Sequence, residues 1–154
     1  MVWWPYHREQ QVIAEIERLG GKTESEIVRP AWIPDAVDDE YLGVFARVFR
    51  VILDDTQIND AGLEHLHGPT NLTVLSLSNT QVSDAGFEHI QGLTKLELLS
   101  LDNTQISDAG LEHLRGLTNP TYLNLSNTRV TQVGIERLKS ALPNCYIAWT
   151  PPAE

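Results

Sequence analysis

The chain predicts an α/β solenoid that coils right-handed, with parallel strands on the concave side, helices on the convex side and a cap at each end. Three observations carry this expectation. First, a seven-residue string recurs every 24 positions: Asp60-Ala61-Gly62-Leu63-Glu64-His65-Leu66, Asp84-Ala85-Gly86-Phe87-Glu88-His89-Ile90, and Asp108-Ala109-Gly110-Leu111-Glu112-His113-Leu114. A worn fourth copy reads Gln132-Val133-Gly134-Ile135-Glu136-Arg137-Leu138. A period of roughly 20–29 residues is one coil of a strand-and-helix stack. Second, each period holds a stretch alternating with period two and then a stretch with helical spacing. Third, the flanks depart from the period, as ends that must hide a shared core do.

In the strand half, Leu75 and Leu77 alternate with polar neighbours, and their equivalents are Val51 and Leu53, Leu99 and Leu101, and Leu123 and Leu125. That alternation predicts a short strand with one buried face. The helical half opens on Asn59, Ser83, Ser107 or Thr131, all good N-caps. An aspartate follows in three copies, where its charge complements the helix dipole. Leu63 and Leu66, with their counterparts, turn inward, and Gly68, Gly92 and Gly116 stand where a left-handed residue ends a helix.

The pattern Leu72-x-x-Leu75-x-Leu77-x-x-Thr80-x-Val82 resembles the leucine-rich-repeat consensus. Joined to Ser83-Asp84-Ala85-Gly86, it is similar to short bacterial proteins whose repeats read threonine or serine followed by Asp-Ala-Gly-Leu. The resemblance implies a leucine-rich-repeat solenoid over roughly residues 47–149. Two departures are visible. Threonines 56, 80, 104 and 128 hold the family's ladder position, commonly asparagine or cysteine; each hydroxyl is expected to bond a neighbouring turn's backbone. Pro120 replaces a leucine and predicts a locally loosened turn.

The domain reading is a single unit. Residues 1–46 form an amino-terminal cap, 47–143 the four repeats, and 144–154 a terminal strand with its cap. In the first cap, a helix after Pro5 carries Val12, Ile13, Ile16 and Leu19 on one stripe and ends at Gly20-Gly21. A short strand over Lys22–Val28, a proline-bounded loop over Arg29–Pro34 and a short helix over Asp35–Phe45 follow. Cys145–Trp149 falls in register as a fifth strand, before Pro151-Pro152 forbids continuation. Trp3, Trp4, Trp32 and Trp149 all lie outside the repeats and are expected to cover the ends. The segment Val2–Arg8 reads as an aromatic patch on the first helix, or as the tail of a removed membrane anchor. No basic stretch precedes an apolar core in the manner of a secretory signal.

Composition narrows function by exclusion. Eleven basic against 21 acidic residues leave a net charge of −10, which repels a nucleic-acid backbone. No apolar run is long enough for the repeats to insert in a membrane. Cys145 is the only cysteine, so no intrachain disulfide exists. As a nucleophile it needs a nearby base; the repeat histidines belong to the helical side, so an idle or packed thiol is expected. His65, His89 and His113 repeat by duplication and read as surface groups, not metal ligands. No phosphate loop, dinucleotide fingerprint or nucleophile elbow is present. The expectation is a non-enzyme without cofactor or metal.

What remains is the concave strand face. One column reads Arg50, Val74, Leu98, Tyr122 and Tyr146; the next reads Ile52, Ser76, Ser100, Asn124 and Ala148; a third reads Asp54, Ser78, Asp102, Ser126 and Thr150. An apolar-to-aromatic stripe beside small residues is the make-up of an interface. The predicted partner-binding residues are Arg50, Ile52, Asp54, Val74, Ser76, Leu98, Ser100, Asp102, Tyr122, Asn124 and Tyr146, with an unidentified protein as partner. Asp54 and Asp55 are not explained by a helix dipole and are expected to steer basic partners to that half. The alternative is a structural spacer or self-assembling unit, tethered to a membrane through the amino-terminal segment of a longer protein.

Overall fold

The structure is a computed structural model describing residues 3–27, 46–67 and 71–151, without the side chains of 3–8, 27, 46, 65 and 67. Helix α1 spans Trp3–Arg18 and strand β1 spans Lys22–Ile27. Strand β2 runs over Ala46–Ile52, followed by β3 (Val74–Ser76), β4 (Leu98–Ser100), β5 (Tyr122–Asn124) and β6 (Tyr146–Ala148). 3₁₀ segments at Asp60–His67 and Asp84–His89, then helices α2 (Asp108–Leu114) and α3 (Gln132–Ala141), alternate with the strands. The sheet order is β1-β2-β3-β4-β5-β6, with β1 antiparallel to β2 and the rest parallel. This is an α/β leucine-rich-repeat solenoid.

Register follows the period. Val74 lies beside Leu98, Leu98 beside Tyr122 and Tyr122 beside Tyr146, each pair 24 residues apart. Because strand side chains alternate, Leu75, Leu99 and Leu123 all turn to the same buried side. There they meet Leu77, Leu101 and Leu125 just past each strand, and Leu63, Phe87, Leu111 and Ile135 from the helical half, in one continuous core. The fifth strand sits in the register expected of it.

The Asp-Ala-Gly string has a cause the dipole argument missed. The Asp60 carboxylate accepts from the backbone N–H (2.7 Å) and hydroxyl (2.6 Å) of Ser83, one coil ahead. Asp84 holds Ser107 in the same way at 2.8 and 2.5 Å, and Asp108 holds Thr131 at 2.8 and 2.6 Å. Each clamp needs its glycine. A Cβ on Gly86 would stand 2.6 Å from Asp60 Oδ1, and Gly110 and Gly134 face Asp84 and Asp108 still more closely. The cap residue therefore does two jobs. Ser107 and Thr131 donate to the previous coil's aspartate and accept from Ala109 and Gly134 N–H at 3.3 and 3.2 Å.

Several local expectations need correction. The first two helical segments are wound as 3₁₀ rather than α. Gly92 and Gly116 are not left-handed: the preceding caps Ile90 and Arg115 stay right-handed, and Leu93 and Leu117 N–H bond back to Ile90 and Leu114. Gly68 lies outside the described residues. The left-handed turn falls instead on Asp55, Asn79, Asn103 and Asn127, with φ between 55° and 59°. Asparagine and aspartate tolerate that conformation best among non-glycine residues. Their side chains form a ladder, Asn103 donating to Asn79 and Asn79 to Asp55.

The threonine hydroxyls do not reach a neighbouring turn. Thr56, Thr80, Thr104 and Thr128 each donate to the carbonyl three residues back, at 2.6–2.7 Å, and so close their own turn. Pro120 does not loosen its coil either. It is buried, and Thr121 and Tyr122 N–H reach Glu97 O at 2.8 and 3.1 Å, as Glu97 and Leu98 reach Thr73 O. The ladder carbonyl is supplied by the preceding coil, so proline's missing donor is not one the ladder uses.

At the ends, α1 begins at Trp3, with Pro5 in the first turn where its missing N–H interrupts no helical bond. Val12 and Ile16 enter the core. Trp149 covers the other end, its indole donating to Val130 O at 3.1 Å. The loop over Arg29–Pro34, the helix over Asp35–Phe45, Trp32, and the side chains of Trp3 and Trp4 lie outside the described residues. Among the described residues no helix is long and apolar enough to cross a membrane.

Glu9 on α1 is buried at 6% exposure. It accepts from Val48 N–H at 3.3 Å and lies 3.8 Å from Arg47. Burial pushes its carboxyl above the ordinary glutamate value, against the opposing pull of Arg47 and the Val48 bond. The folded chain therefore holds this proton more tightly than the unfolded chain. Its contribution to stability is full below the unfolded glutamate pKa and is lost as pH rises through the folded one.

Two outcomes follow. Gly110→Ala is expected to cost about 1–3 kcal/mol in urea unfolding, by displacing Asp84. In an Asp84→Ala background the same change should become neutral or stabilising, because alanine is the better helix former; an equal penalty in both backgrounds counts against the clamp. Glu9→Gln is expected to gain stability relative to wild type as pH rises from about 3 to about 8. A pH-independent difference between the two unfolding curves would contradict the buried-carboxyl assignment.

Candidate functional site

The open face of the sheet collects the side chains opposite the core. Parallel register brings the first two predicted columns together: Arg50, Val74, Leu98, Tyr122 and Tyr146 occupy adjacent positions, as do Ile52, Ser76, Ser100, Asn124 and Ala148. The third column lies in the turns just after the strands. Tyr122 and Tyr146 stack with ring centroids 5.7 Å apart and planes 14° from parallel. Tyr146 is 67% exposed, while Val74, Leu98 and Tyr122 are half-buried by their neighbours. Rigid aromatic area that is already ordered is well suited to contact.

Arg50 closes the amino-terminal end of the first column. It stands opposite Glu24 in the β1–β2 register, and its Nη1 meets Glu24 Oε1 at 3.2 Å. Its Nε is buried with no hydrogen-bond partner among the described residues.

The polar columns are cross-linked. Asp54 Oδ1 accepts from Ser76 Oγ at 2.5 Å and from Ser78 N–H at 2.9 Å. Asp102 Oδ1 accepts from Ser78 Oγ, Ser100 Oγ and Asn124 Nδ2 at 2.5, 3.0 and 3.3 Å. Asn124 Oδ1 in turn takes the Ser126 N–H at 3.1 Å. One chain of hydrogen bonds thus runs across the coils from Asp54 to Ser126. Asp54 and Asp55, which the sequence left unexplained, both have structural partners, Asp55 through Asn79. The signal was present as separations of 22 or 24 residues, within two positions of the 24-residue coil. Among the described residues, no donor reaches the second oxygen of Asp54 or Asp102.

Neither the histidines nor the cysteine assembles a reactive centre. His89 and His113 are half-buried on the helical side, and the His65 side chain lies outside the described residues. No group of three or more potential metal ligands occurs among the described residues. Cys145 is half-buried, burial pushes its thiol above the ordinary cysteine value, and its Sγ lies 3.7 Å from Tyr146 O. A raised pKa lowers the thiolate fraction, the opposite of nucleophilic activation.

Residues 70–115 match the family model described as leucine-rich repeats in two copies. No curated protein sequence matches the chain. Among solved structures, the chain is similar to the leucine-rich-repeat ectodomain of the receptor kinase SOBIR1 from Arabidopsis thaliana. Identity is 15%, the match covers 96% of this chain and 97% of that one, and the TM-score is 0.52. At that identity the likeness concerns the fold. Repeat match and overall likeness agree on a leucine-rich-repeat fold.

Proposed function

We propose that the chain is a protein-binding module whose partner docks on the concave strand face. The observation that carries this reading is the stacked Tyr122–Tyr146 pair, with Tyr146 exposed and the column continuing through Leu98 and Val74. A single-handed row of apolar and aromatic groups is the usual centre of an interface, ringed by polar groups that exclude water. Here the ring is supplied by Ser76, Ser100, Asn124, Asp54 and Asp102, with Arg50 and Ile52 at the amino-terminal side.

The cross-coil hydrogen bonds support the reading, because they hold the polar rim in place before a partner arrives. The unpaired oxygens of Asp54 and Asp102 are free to accept from a partner's donors. Part of the same proposal is the finer repeat type. The Asp-Ala-Gly clamp accounts for why repeats of the threonine- or serine-Asp-Ala-Gly-Leu kind, as in the short bacterial proteins the sequence resembles, keep those three residues together.

The test is a partner isolated by affinity capture, followed by titration calorimetry against purified variants. Tyr122→Ala and Tyr146→Ala are each expected to weaken binding at least about tenfold, the scale of a truncated interface anchor. Substitution on the helical side, such as Glu112→Ala, should leave affinity unchanged. Unaltered binding by both tyrosine variants would rule out this face.

A further inference from the structure

The two edges of the sheet are built differently. β1, at one edge, carries Lys22, Glu24 and Glu26 and has a register shift between Glu24 and Ser25. Charges and bulges on an edge strand are what keep it from pairing with another chain. β6, at the other edge, carries none. From Ser140 to Ala153 the sequence has no charged residue, in a chain with 32 of them.

The backbone of β6 is half used. Tyr146 N–H reaches Thr121 O at 2.9 Å and Ala148 O takes Leu125 N–H at 2.8 Å, so these residues face β5. By strand alternation the main chain of Ile147 between them points away from the sheet. Around it lies an apolar end layer: Ala141, Cys145, Ile147 and Trp149 are only partly buried against the core, and Val133 on α3 is 54% exposed.

We propose that this end is a homodimer interface, in which β6 pairs antiparallel with β6 of a second copy about a twofold axis near Ile147. The occupant follows from charge and symmetry. Two copies at −10 repel over most of their surface, and the β6 edge, within the uncharged stretch from Ser140 to Ala153, is where they approach at least cost. Antiparallel pairing of like edges is self-complementary and closes at two. Continued head-to-tail growth would need the β1 edge, which its charges and bulge oppose. Pairing also joins the two open sheet faces, each ending on its Tyr146.

Sedimentation equilibrium across the micromolar range tests this. The full chain should show a mass about twice 17.3 kDa. Ala148→Lys and Thr150→Lys each place a charge beside the axis while retaining the strand's N–H groups; each should weaken dimerisation at least about tenfold. Unchanged far-ultraviolet circular dichroism checks that both fold. Leu98→Lys, in the middle of the open face, should remain dimeric. A wild-type chain that stays monomeric throughout, a dimer indifferent to both edge lysines, or a dimer dissolved by Leu98→Lys each overturns the proposal.

Discussion

The carboxylate-to-cap clamp between successive coils is the constraint on which the rest depends. Asp60, Asp84 and Asp108 each reach one coil ahead and take both the N–H and the hydroxyl of the residue that starts the next helical segment. A bidentate, charge-assisted contact fixes both spacing and orientation. It locks the helical side to the same 24-residue step that the parallel strands set on the other side. In a stack where each coil touches only its neighbours, that nearest-neighbour bond is what makes separate coils one body.

The clamp also explains where the repeats differ. The fourth copy keeps Thr131 and Gly134, the receiving half, because Asp108 still arrives there. It loses the sending half: Gln132 stands where the other copies have aspartate, and its amide turns to Glu136 within its own helix. The first copy shows the converse. Asn59 holds the cap position without a hydroxyl, and its own Oδ1 accepts from Gly62 N–H at 3.3 Å. Among the described residues, the groups nearest a Cβ on Gly62 belong to Ile58 and Leu19.

The period made much of this legible in advance. Once residue i is known to lie beside i+24, strand register and the first two columns of the open face follow without further information, and the structure pairs those residues as expected. The failures at Asp84, Asp54, Gly110 and Gly134 share one cause. Asp84 was read through a local field, the helix dipole, when its partner was Ser107; Asp54 was read as free charge when it held Ser76 and Ser78. Gly110 and Gly134 were unexplained because a glycine that admits a neighbour's carboxylate has no local signature. Conversely, the threonines were given a neighbouring turn and use their own. Local reasoning fails where a polar side chain has a partner one coil away, and the period supplies no rule for which residues look forward.

The same division of labour shapes the surfaces. Carboxylates on the open face and at the helix starts are each already occupied on one oxygen or both, so much of the −10 charge belongs to the scaffold's own bonding. Groups bound to their own framework lose little further freedom on meeting a partner. Exposed or half-covered apolar and aromatic side chains concentrate toward the last coils: Tyr122, Tyr146, Val133 and Trp149. The amino-terminal coils are the polar, internally bonded part of the stack, where Arg50 meets Glu24 and Asp55 anchors the asparagine ladder. Exposed apolar and aromatic surface therefore gathers in the last described coils, where the aspartate that starts each earlier helical segment is replaced by Gln132.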